Sequence, residues 1–525
     1  MDHSRGDRVP RRAPAPPPGG HVPRRSRRRV PSPPGTHRVR ALGQRLGAAM
    51  TPDCGWPEQF RRLRRKLVWT TVILLVVSVP VLVFALVGLP HVFRNPLVRN
   101  VLAEGSAAGV PAVSDARFGA TATLLTGTRL TTGNQVEVLA DGDGTFPPLW
   151  ADLRSARRSV TVQMYYAGPG AVADSATRIL AGRARAGVDV YFLYDSFGAQ
   201  DFPRRYVDTL RAAGARTAEF RPIRWYALDR ANHRSHVRGI VVDGAVGYTG
   251  GFGFDDKWLG RGRRPGEWRE TNARFTGPAV RQLQSVFVAK WAEATGELLT
   301  DVALEPDVDS PVDGPSPVPA AGSATTGATA GTTGGAPPGS LPGDTAALLY
   351  SPPLTGSTTA ERLLALSIAG ARRTLYVSNA YFVPHADFVQ LLVRAAQRGV
   401  DVRILTNSVQ TDVKTTWLAG RSRYETLLTA GVRIYEYRPT TIHAKTFVVD
   451  GVWSAVATMN FDNRSLAYNN EVALVTRDRR VGATLDSLFL EDLRYADEIR
   501  LDAFRRRPWT TRLRERGASL IAGLL

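Results

Sequence analysis

The sequence predicts an α/β protein: two tandem halves, each a mixed sheet flanked by helices, packed about a pseudo-twofold axis and preceded by a transmembrane helix. Three observations predict it. Apolar runs of strand length alternate with segments of helical spacing from residue 135 onwards, the pattern of a sheet covered by helices. The same series of short motifs occurs twice. Residues 67–89 form an uncharged apolar run of 23 residues, where a bilayer needs about 20 in helix.

The duplication is specific. Ser155-Ala-Arg-Arg-Ser-Val-Thr-Val162 matches Gly370-Ala-Arg-Arg-Thr-Leu-Tyr-Val377, Arg185-Ala-Gly-Val-Asp-Val190 matches Gln397-Arg-Gly-Val-Asp-Val402, and Ala213-Gly-Ala-Arg216 matches Ala430-Gly-Val-Arg433. His236-Val-Arg238-Gly-Ile-Val-Val-Asp243-Gly244 is repeated as His443-Ala-Lys445-Thr-Phe-Val-Val-Asp450-Gly451, and His443 lies 207 residues after His236. If each motif is a strand followed by a tight turn, alternation puts His443 and Lys445 on one face. Phe447, Val448 and Val449 mark that strand as interior, and burying a lone cation is costly. A phosphate anion would compensate it, with an imidazole titrating near neutrality placed to attack phosphorus or carry a proton. One copy alone is equally a core histidine beside a strand-end lysine; the second copy favours the chemical reading.

Two copies of His-x-Lys/Arg-x4-Asp inside a duplicated domain resemble the phospholipase D superfamily. The resemblance covers roughly residues 126–507 without the linker. Asn232-His-Arg-Ser-His236, Tyr248-Thr-Gly-Gly-Phe-Gly-Phe-Asp-Asp256 and Met459-Asn-Phe-Asp-Asn-Arg-Ser465 look most like bacterial cardiolipin synthase-like proteins. The resemblance implies that one of His236 and His443 forms a phosphohistidine while the other protonates the leaving alcohol. It implies Lys445, with Arg238 opposite, as the phosphate-neutralising cations, and Thr458 and Asn460 as hydrogen-bond donors to phosphate. Glu471 would orient a motif histidine through its second ring nitrogen, with Glu270 as counterpart in the first half. Asp243 and Asp450 would support the turn after the strand. No metal and no cofactor are implied. Two positions depart from the pattern: arginine replaces lysine at 238, and Gly253 stands where the second copy has Asn460.

The activity so implied is phosphatidyl transfer, joining two phosphatidylglycerols with release of glycerol. Its rivals are phospholipase D-type hydrolysis by the same histidines, a surface nuclease, and a non-catalytic binder of anionic lipid. The expected partners are a phospholipid substrate and the membrane, with nucleic acid only under the nuclease reading.

In chain order, residues 1–66 form a basic tail without apolar periodicity, read as disordered. It carries 17 Lys/Arg against 4 Asp/Glu, most of the net charge of +21. Residues 67–89 are the expected membrane helix. Arg61, Arg62, Arg64, Arg65 and Lys66 on one flank outweigh Arg94 and Arg99 on the other, which predicts a single-pass cell-membrane protein with a cytoplasmic N-terminus and an extracytoplasmic catalytic part. Residues 90–130 read as a stalk, 131–302 as the first half, 303–345 as a Pro/Gly/Ser/Thr-rich flexible linker, 346–507 as the second half and 508–525 as a C-terminal tail. Cys54 is the sole cysteine, so no intramolecular disulfide forms.

Overall fold

The computed structural model describes residues 58–83, 98–101, 109–222, 232–300, 302–305, 344–353 and 357–520. The expectations for 1–57 and for nearly all of the 303–345 linker lie outside these residues. Residues 1–80 and 81–525 form two units.

The helix Glu58–Val83, whose residues up to Pro80 fall in the first unit, opens with a charged stretch and becomes apolar at Leu67. Leu67, Trp69, Ile73, Leu74, Val76 and Leu82 are all more than half exposed. Among the described residues no helix is long and apolar enough to cross a membrane. The described helix ends at Val83, and the last six residues of the expected span, 84–89, lie outside the described residues.

The second unit is built on strands β1 (Thr131–Ala140), β2 (Ser159–Met164), β3 (Asp189–Asp195), β4 (Arg216–Phe220), β5 (Gly239–Val242), β6 (Val246–Gly250), β7 (Thr271–Thr276) and β8 (Asp344–Ser351). It continues with β9 (Thr374–Asn379), β10 (Asp401–Asn407), β11 (Arg433–Tyr437), β12 (Lys445–Val449), β13 (Trp453–Ala457), β14 (Glu471–Arg477) and β15 (Ala496–Ile499). They form one mixed sheet in the order β15-β11-β10-β9-β12-β13-β14-β8-β1-β7-β6-β5-β2-β3-β4. Outwards from the central antiparallel pair β1–β8, the two strand series follow the same sequence of roles. Each passes through a hairpin carrying a histidine motif to three parallel strands, β2-β3-β4 on one side and β9-β10-β11 on the other. Parallel neighbours need a crossover. Helices Ala171–Arg185 and Arg204–Ala212 supply it on one side, and Ala386–Gln397, Lys414–Arg421 and Tyr424–Thr429 on the other.

The seam between the series is apolar. Val136, Val241, Phe275 and Leu283 pack in one cluster with Leu348, Val448, Leu474 and Leu485. All eight are buried, and each such side chain contributes about 1.5–3 kcal/mol by leaving water.

Helical spacing predicts helices over 171–186, 279–295, 359–371 and 387–398, and apolar runs predict strands over 159–166, 188–194 and 400–407; each lies within two residues of those bounds. Three differences have physical causes. Pro147 to Arg158 reads as a helix in the sequence, but the helix begins at Asp141, whose Oδ1 accepts from Glu270 N–H and pairs with Arg269. Residues 90–130, read as a stalk without period, contain the helix Ala116–Thr126, capped by Asp115 at its start and by left-handed Gly127 at its end. Its Phe118 is buried edge-on against Trp453 at 5.2 Å. The third difference concerns the motif strands, which begin after their histidines. β5 starts at Gly239 and β12 at Lys445; His236 and His443 sit on the extended lead-ins, whose backbone bonds go elsewhere.

Candidate active site

The lead-ins bond across the seam. His236 N–H donates to Asn470 O at 3.0 Å and Asn470 N–H to Arg234 O at 2.9 Å, while His443 N–H donates to Arg269 O at 2.7 Å and Arg269 N–H to Thr441 O at 3.0 Å. Each histidine lead-in is therefore zipped to the residues just before a glutamate from the other strand series. Side chains at the strand ends secure the lead-ins: Ser235 N–H donates to Asp195 at 2.9 Å and Ile442 N–H to Asn407 at 2.8 Å.

This pairing brings the site carboxylates to the imidazoles crosswise. His236 Nδ1 lies 2.8 and 3.0 Å from the two Glu471 oxygens, and His443 Nδ1 lies 2.6 Å from Glu270 Oε2. All four side chains are buried. With a carboxylate at Nδ1, the ring proton sits there and the lone pair is left on Nε2. Consistent with that tautomer, Arg238 Nη1 lies 3.2 Å from His236 Nε2.

Burial pushes the His236 imidazole down to about 4, with Glu471 opposing and the Arg238 and Lys445 charges assisting. Burial also holds His443 well below its usual value, helped by Lys445, Arg238, His236 and Lys257. Lys445 is lowered by burial, against the pull of Glu270 and Glu471, and burial raises Glu270. For Glu471, burial raises the carboxyl but His236 and Thr458 outweigh it, so it stays ionised. Residues of both motifs thus act electrostatically on one another within one buried cluster, where cations unmatched by an anion are expensive.

The remaining predicted residues are placed as follows. The Thr458 hydroxyl, expected at phosphate, donates to Glu471 Oε2 at 2.5 Å. Asn460 is buried, and its side-chain oxygen, like Arg238 Nε, has no hydrogen-bond partner among the described residues. Asp243 and Asp450 lie away from the imidazoles. Each takes a positive φ, 53° and 55°, and spends its carboxylate on three successive backbone N–H groups, of Arg157, Arg158 and Ser159 and of Arg372, Arg373 and Thr374. The repeated Ala-Arg-Arg segments are thus the docking points of the motif aspartates.

Gly253 has a steric cause. A Cβ there would come within 2.7 Å of the Trp258 ring and of Tyr166 O. At Gly251, which matches Thr458, a Cβ would meet Glu270 Oε2 at 2.2 Å. Glu270 is held instead by Trp258 Nε1 at 3.3 Å and Thr271 N at 3.0 Å. The two histidine–glutamate pairs are related in plan but differently supported.

Sequence reasoning missed the aromatic lining. Tyr165 lies edge-on to His236 at 4.6 Å, and Trp268, Trp258 and Tyr381 lie 4.8, 5.6 and 6.4 Å from His443, all between ring centroids. The available signal was position: Tyr165 and Tyr381 follow the repeated β2 and β9, and Trp268 stands two residues before Glu270. Among the described residues no group of three or more His, Cys, Asp or Glu could hold a metal ion.

The histidine burial makes a pH prediction. His236 has a folded value below its unfolded 6.5, so its contribution to stability is present above pH 6.5 and is lost as pH falls towards 4. Between pH 7 and 5 this amounts to about 2 kcal/mol. His236→Gln removes it and also lets the Glu471 carboxyl rise, which acts in the same direction. The variant's Tm is therefore expected to fall less than the wild type's between pH 7 and 5 in parallel thermal melts.

A family described as cardiolipin synthase, PLD-like domain, matches residues 364–493. The chain is 34% identical over 393 residues to a cardiolipin synthase of Geobacillus kaustophilus, covering 75% of this chain and 72% of that protein. It is 32% identical over 391 residues to a cardiolipin synthase of Halalkalibacterium halodurans, covering 74% and 72%. Among solved structures, phosphatidylserine synthase of Haemophilus influenzae superposes with a TM-score of 0.56 at 14% identity, covering 78% of this chain and all of that one; this likeness is one of fold. With a relative above 30% identity matched over more than two thirds of its length, the chain belongs to the cardiolipin synthase family of phospholipase D-like proteins.

Proposed function

We propose that this protein is a phosphatidyl transferase that joins two phosphatidylglycerols into cardiolipin with release of glycerol, through a phosphohistidine. The observation that carries the reading is the pair of buried imidazoles beside Lys445 and Arg238, each with Nδ1 held by a carboxylate from the opposite strand series and its lone pair on Nε2, that of His236 facing Arg238 Nη1 at 3.2 Å. One Nε2 attacks phosphorus; the P–O bond to the departing glycerol breaks, and the other histidine, which enters the cycle as an imidazolium carrying a second proton on Nε2 beside its glutamate and the bound phosphate anion, gives that oxygen its proton and becomes neutral. In the second displacement an acceptor hydroxyl attacks phosphorus, its proton passes to the free histidine, and the P–N bond breaks. Dividing one displacement into two lowers each barrier, and the proton transfers contribute about 10²–10⁴-fold. Lys445 and Arg238 neutralise the non-bridging oxygens as charge builds on them. Arg238 Nε, unpartnered among the described residues, and the Asn460 side-chain NH2 are suited to donate to the same anion.

The matching strand order on either side of β1–β8 supports two phospholipase D-like halves, 131–302 and 346–507, around a pseudo-twofold axis. The exposed apolar side chains of Glu58–Val83 support membrane attachment through 67–89, with the basic flank cytoplasmic and the catalytic part outside.

The test is product analysis on phosphatidylglycerol vesicles. The reading expects cardiolipin and glycerol in equal amounts. Phosphatidic acid alone would make the protein a hydrolase, and no turnover with retained vesicle binding would make it a lipid binder.

A further inference from the structure

Lys257 is a cation that the chemistry above does not use. It lies on the short turn Asp256–Trp258 that follows the loop after β6. Its Nζ sits 3.7 Å from the centroid of the Tyr166 ring, 4.5 Å from that of Trp268 and 5.4 Å from that of Trp258. Ring faces attract an ammonium but do not neutralise it. No carboxylate among the described residues forms an ion pair with Lys257, and the acidic groups near it in sequence are engaged elsewhere. Asp255 accepts from the Lys257 backbone N–H, Asp256 caps Ala171 and Val172, and Glu267 accepts from Arg261 N–H.

The cage is also a wall of the active site. Trp258 and Trp268, which hold Lys257, flank His443 at 5.6 and 4.8 Å. Lys257 is half-buried, whereas Lys445 and Arg238 are buried at the reacting centre. The site therefore carries an outer cation on its His443 side, held in place and without an ion-pairing carboxylate among the described residues.

On the reading above, the reaction contains only one phosphate for such a cation. The donor lipid brings the phosphorus that reacts, and its leaving group, glycerol, has no charge. The second phosphate in the reaction belongs to the lipid that accepts the phosphatidyl group. We propose that Lys257, in its cage of Tyr166, Trp258 and Trp268, binds the phosphate of the acceptor lipid and selects an anionic lipid alcohol over a neutral one.

This rests on the transferase reading, and competing acceptors separate the two. The full-length protein is supplied with phosphatidylglycerol vesicles together with 1-butanol, so that one phosphatidyl-enzyme divides between cardiolipin and phosphatidylbutanol. A folding or donor-binding defect lowers both products and leaves their ratio intact. Lys257→Gln is expected to lower the cardiolipin to phosphatidylbutanol ratio about tenfold, one charge-assisted contact's worth, and Lys257→Arg to restore it to within about twofold. An unchanged ratio in Lys257→Gln overturns the proposal and leaves the transferase reading standing. Wild-type protein that makes phosphatidylbutanol or phosphatidic acid but no cardiolipin overturns both.

Discussion

Replacing either His443 or His236 by alanine is expected to reduce turnover of phosphatidylglycerol by about 10⁴-fold or more, since each variant loses either the nucleophile or the proton carrier. Both side chains are buried in one cluster with Lys445 and Arg238, so neither is replaceable by a neighbouring base. The check is initial-rate measurement of glycerol release, with circular dichroism to confirm that the variants fold. Because the two histidines act in one covalent cycle, the double variant should be no slower than the worse single one, as expected for residues that work as a unit. Undiminished release in either single variant would refute the paired-histidine chemistry.

The second large effect is expected at the glutamates, and its signature is that it crosses the seam. Glu471→Gln keeps the size of the side chain but removes the charge that fixes the His236 tautomer and stabilises its protonated form. Turnover should fall about 10²–10³-fold, within the range of lost acid–base assistance. Glu471 raises the His236 value, so removing its charge should move that imidazole below about 4, a downward shift visible by NMR titration of the labelled ring. In a His236→Ala background the same glutamate change should cost little further, whereas in wild type it is severe. Equal losses in both backgrounds would show that Glu471 acts on something other than His236.

Much of this site is legible in the sequence because it is written twice. The repeat gave both histidines, both cations and the aspartates, and the alternation of strand and helix gave the elements that carry them. The partner of each glutamate was not legible. Aligning two copies shows that Glu270 and Glu471 have equivalent places, but says nothing of which histidine each faces. That depends on two lead-ins hydrogen-bonding across the seam, at His236 with Asn470 and at His443 with Arg269. The Thr458–Glu471 contact was not legible for a related reason: the two meet only through the β13–β14 pairing. The helix Ala116–Thr126 did carry signals in Asp115 and Gly127. Its short apolar stripe of Phe118 and Ala122 was too sparse to stand out against a region without period.

The antiparallel pair β1–β8 joins Thr131 to Ala346 and Asn134 to Asp344, so the peptide between residues 305 and 344 is not what keeps the two motif-bearing stretches together. Cleavage of that interval is therefore expected to leave turnover intact. A single nick in that interval would leave two fragments still clasped through a shared sheet, and separately made fragments are expected to complement one another. Neither fragment on its own contains a histidine together with the acid that orients it, so activity would be the reporter of their reunion.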